Sequence, residues 1–251
     1  MMSFFIFILG SVIGSFLNVI ILRYDTGQSV IKGRSQCSNC QKKLKWYELI
    51  PLLSFLIQKG RCRSCKSKIS IQYPIVEILT GIIFLLIFSA QGGQFSIFKT
   101  IYFWIIFSLL IIIAVYDLKH QIIPDIFVYL FIFFAFWNLG FDWNLKIGIW
   151  NFLAGIIFFA FFGSIWLVSR GNWMGLGDAK LALGIGWLLG LFKGILALLL
   201  SFWTGALIGI FLLFFFKKEY NLKSRIPFGP FLILGIIIAF FFGDVIIKLV
   251  I

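Results

Sequence analysis

The sequence predicts an all-α, polytopic membrane protein that carries one small cytoplasmic module. Of its 251 residues, 61% are hydrophobic and only 12% are charged, and the mean hydropathy is +1.06. Soluble domains are about half apolar, so most of this chain is expected to lie in lipid. One long polar stretch, residues 23–73, interrupts the apolar runs and contains all four cysteines. These observations predict about eight transmembrane helices and a zinc-stabilised module after the first of them.

The apolar runs give the order of the elements. Residues 1–22 are expected to form the first transmembrane helix, 23–73 the cytoplasmic module and 74–251 a polytopic membrane domain. Most runs approach the roughly 20 residues that cross about 30 Å of hydrocarbon. The stretch 179–216 is divided at Gly190-Leu-Phe-Lys-Gly194. The predicted spans are 4–22, 74–90, 98–116, 126–141, 147–168, 179–191, 194–216 and 228–250.

The distribution of Lys and Arg predicts the orientation in the membrane. Eighteen of the 22 basic residues fall on one face of this arrangement, and 11 of them lie in 23–73. Basic loops stay cytoplasmic, so both termini are expected outside and the module on the cytoplasmic side of the membrane. The net charge of +13 follows from this asymmetry and from attraction to anionic headgroups. We therefore expect the lipid bilayer, and not nucleic acid, as the partner of the basic surface.

The four cysteines form two C-x2-C pairs, Cys37 with Cys40 and Cys62 with Cys65. This spacing is typical of a tetrathiolate zinc site, whose four protein ligands make the metal structural. A reducing cytosol disfavours disulfides, and so small a module needs a metal or another staple. A thioredoxin-like redox pair is the alternative, although no βαβ pattern surrounds the cysteines.

Two aspartates suggest acid–base chemistry at one membrane face. Asp117 ends an apolar helix at the negative pole of its dipole, where a carboxylate is disfavoured by about 0.3–1 kcal/mol. Asp178 follows Gly175 and Gly177, which leave room for a close backbone or ligand approach. Two carboxylates in one water-excluding pocket share a proton, so one can activate water while the other protonates a carbonyl oxygen.

Three acidic residues also have a structural interpretation. Asp125 follows a proline and suits the N-cap of the next helix. Asp178 could likewise cap a helix that starts at Ala179. Glu77 lies three residues after a proline, in the predicted first turn of the second span, where the helix dipole favours a negative charge.

The chain resembles the bacterial prepilin peptidases, or type IV leader peptidases, which are intramembrane aspartic proteases of the GxGD type and often N-methyltransferases. The similarity runs nearly from end to end. Asp117-x6-Pro-Asp125 and Gly175-Leu-Gly-Asp-Ala-Lys180 carry the aspartates, and Asp125 and Lys180 support the motif assignment. The other shared motifs are the two C-x2-C pairs and residues 14–23, 47–54, 59–62, 72–77 and 226–231.

The resemblance implies that Asp117 and Asp178 are the catalytic pair. It implies cleavage of prepilin and pseudopilin leaders after a glycine on the cytoplasmic side, and methylation of the new N-terminus by S-adenosylmethionine. It also links the cysteine module and Glu77 with methylation, and Gly60 would permit a close backbone approach there. The chain departs from the family after Arg23, where Leu-Pro is usual and this chain has Tyr24-Asp25, and at Ser38, where proline commonly follows the first cysteine.

Two other classes of function fit part of the sequence. A cation transporter could use Asp117, Asp125 and Asp178, but transporters usually show internal repeats, and no convincing repeat is present. A zinc-organised scaffold of a secretion machine explains the cysteines and leaves Asp117 unexplained. The sequence leaves open the oligomeric state and the identity of the pilin.

Overall fold

The computed structural model describes residues 2–90, 96–140, 145–216 and 226–250, and over these residues every regular element is helical. In lipid a chain must satisfy its backbone hydrogen bonds internally, and long apolar runs therefore become helices. The predicted all-α membrane class is confirmed. The elements are α1 Met2–Arg23, a 3-10 turn Trp46–Glu48, α2 Leu53–Ile57, α3 Gln72–Ala90, α4 Ile97–His120, α5 Asp125–Asn138, α6 Leu145–Ser169, α7 Leu176–Phe215 and α8 Gly229–Val250.

Six of these helices are long and apolar enough to cross a membrane: α1, α3, α4, α6, α7 and α8. The 14 residues of α5 extend only about 21 Å, which is less than the hydrocarbon thickness. The 40 residues of α7, in contrast, contain two of the predicted spans. Six long helices are observed among the described residues where eight spans were expected, because α5 is too short to be counted and α7 joins two of the predicted spans in one helix.

The chain reverses direction inside α7. Gly190 has φ +74° and ψ −172°, which breaks the helix. Three close contacts trace α7 along α6: Asn151 with Gly190, Gly155 with Leu183, and Phe162 with Phe202. From Gly190, both halves of α7 extend toward the same end of α6. Because the chain enters Gly190 through one half and leaves it through the other, the two halves are antiparallel. This confirms the predicted division of 179–216 near residue 190.

The chain forms two compact units, Met1–Ile112 and Ile113–Ile251. In the first unit α1 packs against α3, and buried Asn18 joins them through its side-chain amide. Its Nδ2 donates to the carbonyl of Tyr73, and its Oδ1 accepts from Gln72 Nε2, both at 3.3 Å. In the second unit α5, α6 and α8 pack around α7. The finer division at 22/23 and 73/74 stays a prediction.

Candidate active site and metal centre

The second unit brings together the two aspartates that the sequence singled out. Asp117 lies in the last turn of α4 and Asp178 in the first turn of α7. Their residues are only 4% and 7% exposed, respectively, and the two carboxyl groups interact electrostatically. Among the described residues, none donates a hydrogen bond to Asp178 Oδ1, although that atom is buried. The site therefore holds two buried carboxylates, one of which has an oxygen free to bind a ligand or water.

Helix α7 begins three residues earlier than the predicted cap would place it. Gly175 occupies the N-cap position, and the backbone N–H of Asp178 donates to Gly175 O at 3.2 Å. The prediction that Asp178 caps a helix starting at Ala179 is wrong, because the helical hydrogen-bond pattern already starts at Leu176. Asp178 is instead the third residue of the helix, and its carboxylate interacts with the backbone of Gly175 at the N-cap.

Gly177 permits the approach that brings the two aspartates together. A Cβ atom on Gly177 would lie 2.8 Å from Cβ of Ile123, in the loop between α4 and α5. Real Cβ contacts are not that short, so a larger residue would push this loop away from the start of α7. Gly177, which was expected to permit a close approach of backbone or ligand, therefore packs against the protein itself.

Gly229, the first residue of α8, holds Asp117 in place. Its backbone N–H donates to Asp117 Oδ2 at 3.0 Å, although the two residues are 112 positions apart. A Cβ atom at Gly229 would lie 2.6 Å from the same oxygen. Sequence reasoning found residues 226–231 as a shared motif but gave Gly229 no role. The pattern that could have indicated a role for Gly229 is a glycine followed by a proline at the start of a helix.

Asp125 and Lys180 form an ion pair beside the aspartates. Lys180 Nζ lies 2.7 Å from Asp125 Oδ1 and 4.8 Å from the centroid of the Tyr129 ring. The predicted N-cap role of Asp125 is wrong by one residue, because Pro124 occupies the N-cap position and Asp125 starts α5. The pair joins α5 to α7 two residues beyond Asp178.

The four cysteines converge in the first unit. Their Sγ atoms all lie within 4.8 Å of one another, and Cys37 Sγ is 3.8 Å from Cys65 Sγ. Four sulfurs about 2.3 Å from a tetrahedral zinc are themselves about 3.8 Å apart. The cluster therefore fits a metal ion bound by four thiolates.

The cysteines sit on two copies of the same turn, 25 residues apart. In the first, Cys37 N–H donates to Lys42 O at 3.0 Å, and in the second Cys62 N–H donates to Ser67 O at 2.9 Å. Each copy is closed by an isolated antiparallel bridge, Gln36 with Lys43 and Arg61 with Lys68. We call residues 35–44 and 60–69 the two knuckles.

One knuckle favours the thiolate form that binds metals. The Ser67 hydroxyl lies 3.0 Å from Cys65 Sγ, and this hydroxyl together with the Ser67 backbone N–H lowers the pKa of the Cys65 thiol to about 6. The thiolate is the metal-binding form of cysteine. Lys42 Nζ also donates to Ser64 Oγ at 2.7 Å, which ties the two knuckles together.

Glu77 and Gly60 have structural contacts in the same unit. Glu77 is buried in the second turn of α3, one turn later than predicted, because the helix already starts at Gln72. Its Oε2 accepts the backbone N–H of Leu52 at 2.8 Å. Gly60 has φ +65° and starts the second knuckle, where its carbonyl accepts from Ile69 N–H at 2.8 Å. A contribution of either residue to methylation stays a prediction.

Comparison with known proteins identifies the family. Residues 8–91 match the Bacterial Peptidase A24 N-terminal domain, and residues 104–210 match the Type IV leader peptidase family. A "Prepilin leader peptidase/N-methyltransferase" of Bacillus subtilis (strain 168) is 35% identical over 247 residues, which are 97% of this chain and 95% of that protein.

Two further proteins that carry the same name are also similar. The protein of Legionella pneumophila is 35% identical over 235 residues, covering 86% of this chain and 74% of that protein. The protein of Myxococcus xanthus (strain DK1622) is 43% identical over 120 residues, which are 48% of this chain and 35% of that protein. No solved structure matches the chain. With two family domains in sequence and a relative similar over nearly its whole length, this multi-pass membrane protein belongs to the type IV leader peptidase family.

Proposed function

We propose that this protein is a membrane aspartic endopeptidase that removes the leader of prepilins and pseudopilins after a glycine and then methylates the new N-terminus. The observation that carries the proposal is the pair of buried carboxylates, Asp117 and Asp178, at adjoining ends of α4 and α7. The family membership supplies the substrate class.

The two carboxylates perform general acid–base chemistry on the scissile peptide bond. Like charges in a water-poor site disfavour double ionisation, so the pair holds one proton. The ionised carboxylate takes a proton from water, whose oxygen bonds to the carbonyl carbon, while the other carboxyl group protonates the carbonyl oxygen. The tetrahedral intermediate then collapses, the C–N bond breaks, and the amine leaves with a proton from the pair. Gly229 N–H fixes one oxygen of Asp117, which leaves its other oxygen to act.

The expected orientation places this chemistry on the cytoplasmic side of the inner membrane. The Asp117 and Asp178 ends of their helices adjoin loops on the face that carries 18 of the 22 basic residues, and basic loops stay cytoplasmic. The N-terminus is then outside, because the first span is followed by the basic module, and eight crossings bring the C-terminus back to the same side. A prepilin could present its leader to the site from the cytoplasm.

The cysteine cluster is proposed to hold a structural zinc ion. Four thiolates fill the tetrahedral coordination of zinc, so the metal fixes the two knuckles and takes no part in cleavage. Methylation would use S-adenosylmethionine, from which the new amine accepts the sulfonium methyl group. Glu77, with Gly60 in the same unit, is the proposed contributor to that second activity, since a carboxylate favours a nearby cation.

A single assay tests both activities. Membranes containing the protein are incubated with a prepilin and S-adenosylmethionine, and mass spectrometry of the product should show a shortened and singly methylated N-terminus. Glu77→Gln keeps an acceptor for Leu52 N–H but removes the charge. It should lower methylation about tenfold, which corresponds to about 1.4 kcal/mol, and change cleavage less.

Glu48→Gln is the matched control for this variant. Glu48 is also buried in the first unit, and its Oε2 accepts the Lys45 backbone N–H at 2.9 Å. Equal loss of cleavage and methylation in Glu77→Gln would contradict separable sites. An unprocessed prepilin with the unaltered protein would contradict the proposed function itself.

Gly229→Ala should lower cleavage by about 100-fold, the effect expected when a reacting group is displaced by about 1 Å. The added methyl group would meet Asp117 Oδ2, so the carboxylate must move away from its partner. The rate of leader removal is measured at equal amounts of membrane-inserted protein. Gly163→Ala is the control, because its added Cβ would meet nothing within 4 Å beyond the neighbouring turns of its own helix. Unchanged cleavage by Gly229→Ala would show that Asp117 does not need this contact.

The cation transporter is the weaker alternative. Of its three proposed carboxylates, Asp125 is already neutralised by Lys180 at 2.7 Å. A secretion scaffold does not require two buried carboxylates beside each other. The peptidase explains Asp117, Asp178 and the family membership together.

A further inference from the structure

The zinc module exposes apolar side chains in one short stretch. Eight large apolar residues between 24 and 71 are exposed, and six of them fall between residues 46 and 57. They are Trp46, Leu49, Ile50, Leu53, Leu56 and Ile57. Trp46, Leu56 and Ile57 are 77%, 69% and 68% exposed, whereas the exposed residues of the knuckles are polar or basic. A concentrated apolar patch of this kind marks an interaction surface.

A hydrogen bond sets the depth of this stretch relative to the membrane. Leu52, in its middle, donates its backbone N–H to Glu77, the sixth residue of α3. Glu77 therefore lies about 7.5 Å along the helix axis from Gln72. The 19 residues of α3 extend about 28 Å, which is no more than the hydrocarbon thickness. Gln72 must then lie at the edge of the hydrocarbon, and Leu52 lies at the level of the lipid.

The flanks of the stretch carry the charge that suits an anionic membrane surface. Eight basic residues lie in 42–45 and 59–68, and Lys45 and Arg63 lie over the ring of Tyr47 at 5.8 and 5.1 Å. Glu48, the one acidic residue from 42 to 68, is buried. Interfacial elements combine an apolar face, an aromatic residue at the headgroup level and a basic rim.

We propose that residues 46–57 are an interfacial anchor that inserts into the anionic lipid leaflet at the start of α3. Two observations favour lipid as the partner of this stretch: the contact with Glu77 places Leu52 at the level of the lipid, and basic residues lie on both sides of the stretch. Lipid contact holds the middle of the module at the membrane surface, while the two knuckles project from it. The module is then attached at three places: by α1, by α3 and by this anchor.

Photocrosslinking of the full chain tests the anchor directly. The variant Leu56→p-benzoylphenylalanine is placed in nanodiscs of phosphatidylglycerol and phosphatidylethanolamine, illuminated and analysed by intact mass. We expect phospholipid adducts about tenfold more abundant than in a control with the same residue in place of Lys43, which is exposed on the first knuckle. Equal adducts at both positions, or none at position 56, would overturn the proposal.

The competing occupant is the apolar helix of a prepilin, and the same experiment distinguishes it. Added prepilin that replaces the lipid adducts at position 56 by protein crosslinks would show a substrate-docking surface and overturn the lipid anchor. Persistence of the lipid adducts in the presence of prepilin supports it.

Limited proteolysis supplies a second readout that needs no photochemistry. The double variant Leu56→Gln with Ile57→Gln should be cut by trypsin at Lys59 about tenfold faster in the nanodiscs, because the anchor no longer holds. Ile31→Gln, the control, changes a 90% exposed residue outside the stretch and should leave the rate unchanged. Zinc content shows whether each variant keeps its knuckles. An unchanged cleavage rate in a zinc-loaded double variant would also contradict the anchor.

Discussion

Asp117→Asn and Asp178→Asn should each abolish leader cleavage while the protein still inserts and accumulates normally. Asparagine keeps the shape of the side chain but cannot take up or release a proton as a carboxyl group does. Loss of one member of an acid–base pair lowers rates by about 10²–10⁴-fold. The measurement is the amount of processed prepilin over time, at equal amounts of enzyme in the membrane. Near-normal cleavage by either variant would rule out the pair.

Asp125→Asn is the control for these two variants. Asp125 is also a motif aspartate at the same end of the membrane helices, but it is exposed and pairs with Lys180. An asparagine there still accepts a hydrogen bond from Lys180, so substantial cleavage should remain. Asp117→Asn also keeps an oxygen that accepts from Gly229 N–H. A loss of activity in Asp117→Asn would therefore result from the loss of proton transfer and not from the loss of the hydrogen bond with Gly229.

The helices were predictable because lipid leaves the backbone few alternatives. Apolar run lengths place α1, α3, α4 and α8 within a few residues of their observed bounds. The reversal within α7 was also predictable, because Gly190 and Gly194 flank a lysine in an apolar run that is too long for one crossing. The short α5 and the first half of α7, from Leu176 to Gly190, each extend over less than a full membrane thickness.

Helix starts were harder to predict than helix interiors. A polar residue after a proline or a glycine fits an N-cap, yet Pro124 and Gly175 occupy the caps themselves. Asp125 is the first residue inside its helix and Asp178 the third. Asp125 forms an ion pair with Lys180, and Asp178 belongs to the site.

The contacts that position the site could not be predicted from one sequence. Gly229 contacts Asp117 across 112 positions, and Lys180 reaches Asp125 across 55. Such pairs depend on how α5 and α8 pack around α7, and neither composition nor local spacing encodes that packing. The cysteine cluster was predictable, because metal ligands must converge whatever the intervening chain does.

Cys62→Ser should release the metal and open the zinc module. Cys62 is the most buried of the four cysteines, at 5% exposure, and its Sγ completes the cluster. A structural zinc site contributes folding free energy on the order of 10 kcal/mol, far more than so small a polar module can gain from its core. The unaltered protein should contain one zinc ion per chain, and Cys62→Ser should contain almost none and be cut faster by trypsin between residues 24 and 71.

Ser64→Ala is the matched control for the loss of zinc. Ser64 lies between two ligands of the same knuckle, is exposed, and accepts only the Lys42 side chain among the hydrogen bonds of the described residues. Its removal should leave the zinc content unchanged and protease resistance nearly so. If the unaltered protein, prepared without chelator and with all four thiols reduced, contained no zinc, the tetrathiolate site would be excluded. The knuckles would then need another source of stability, because their two isolated bridges and turns bury little apolar surface.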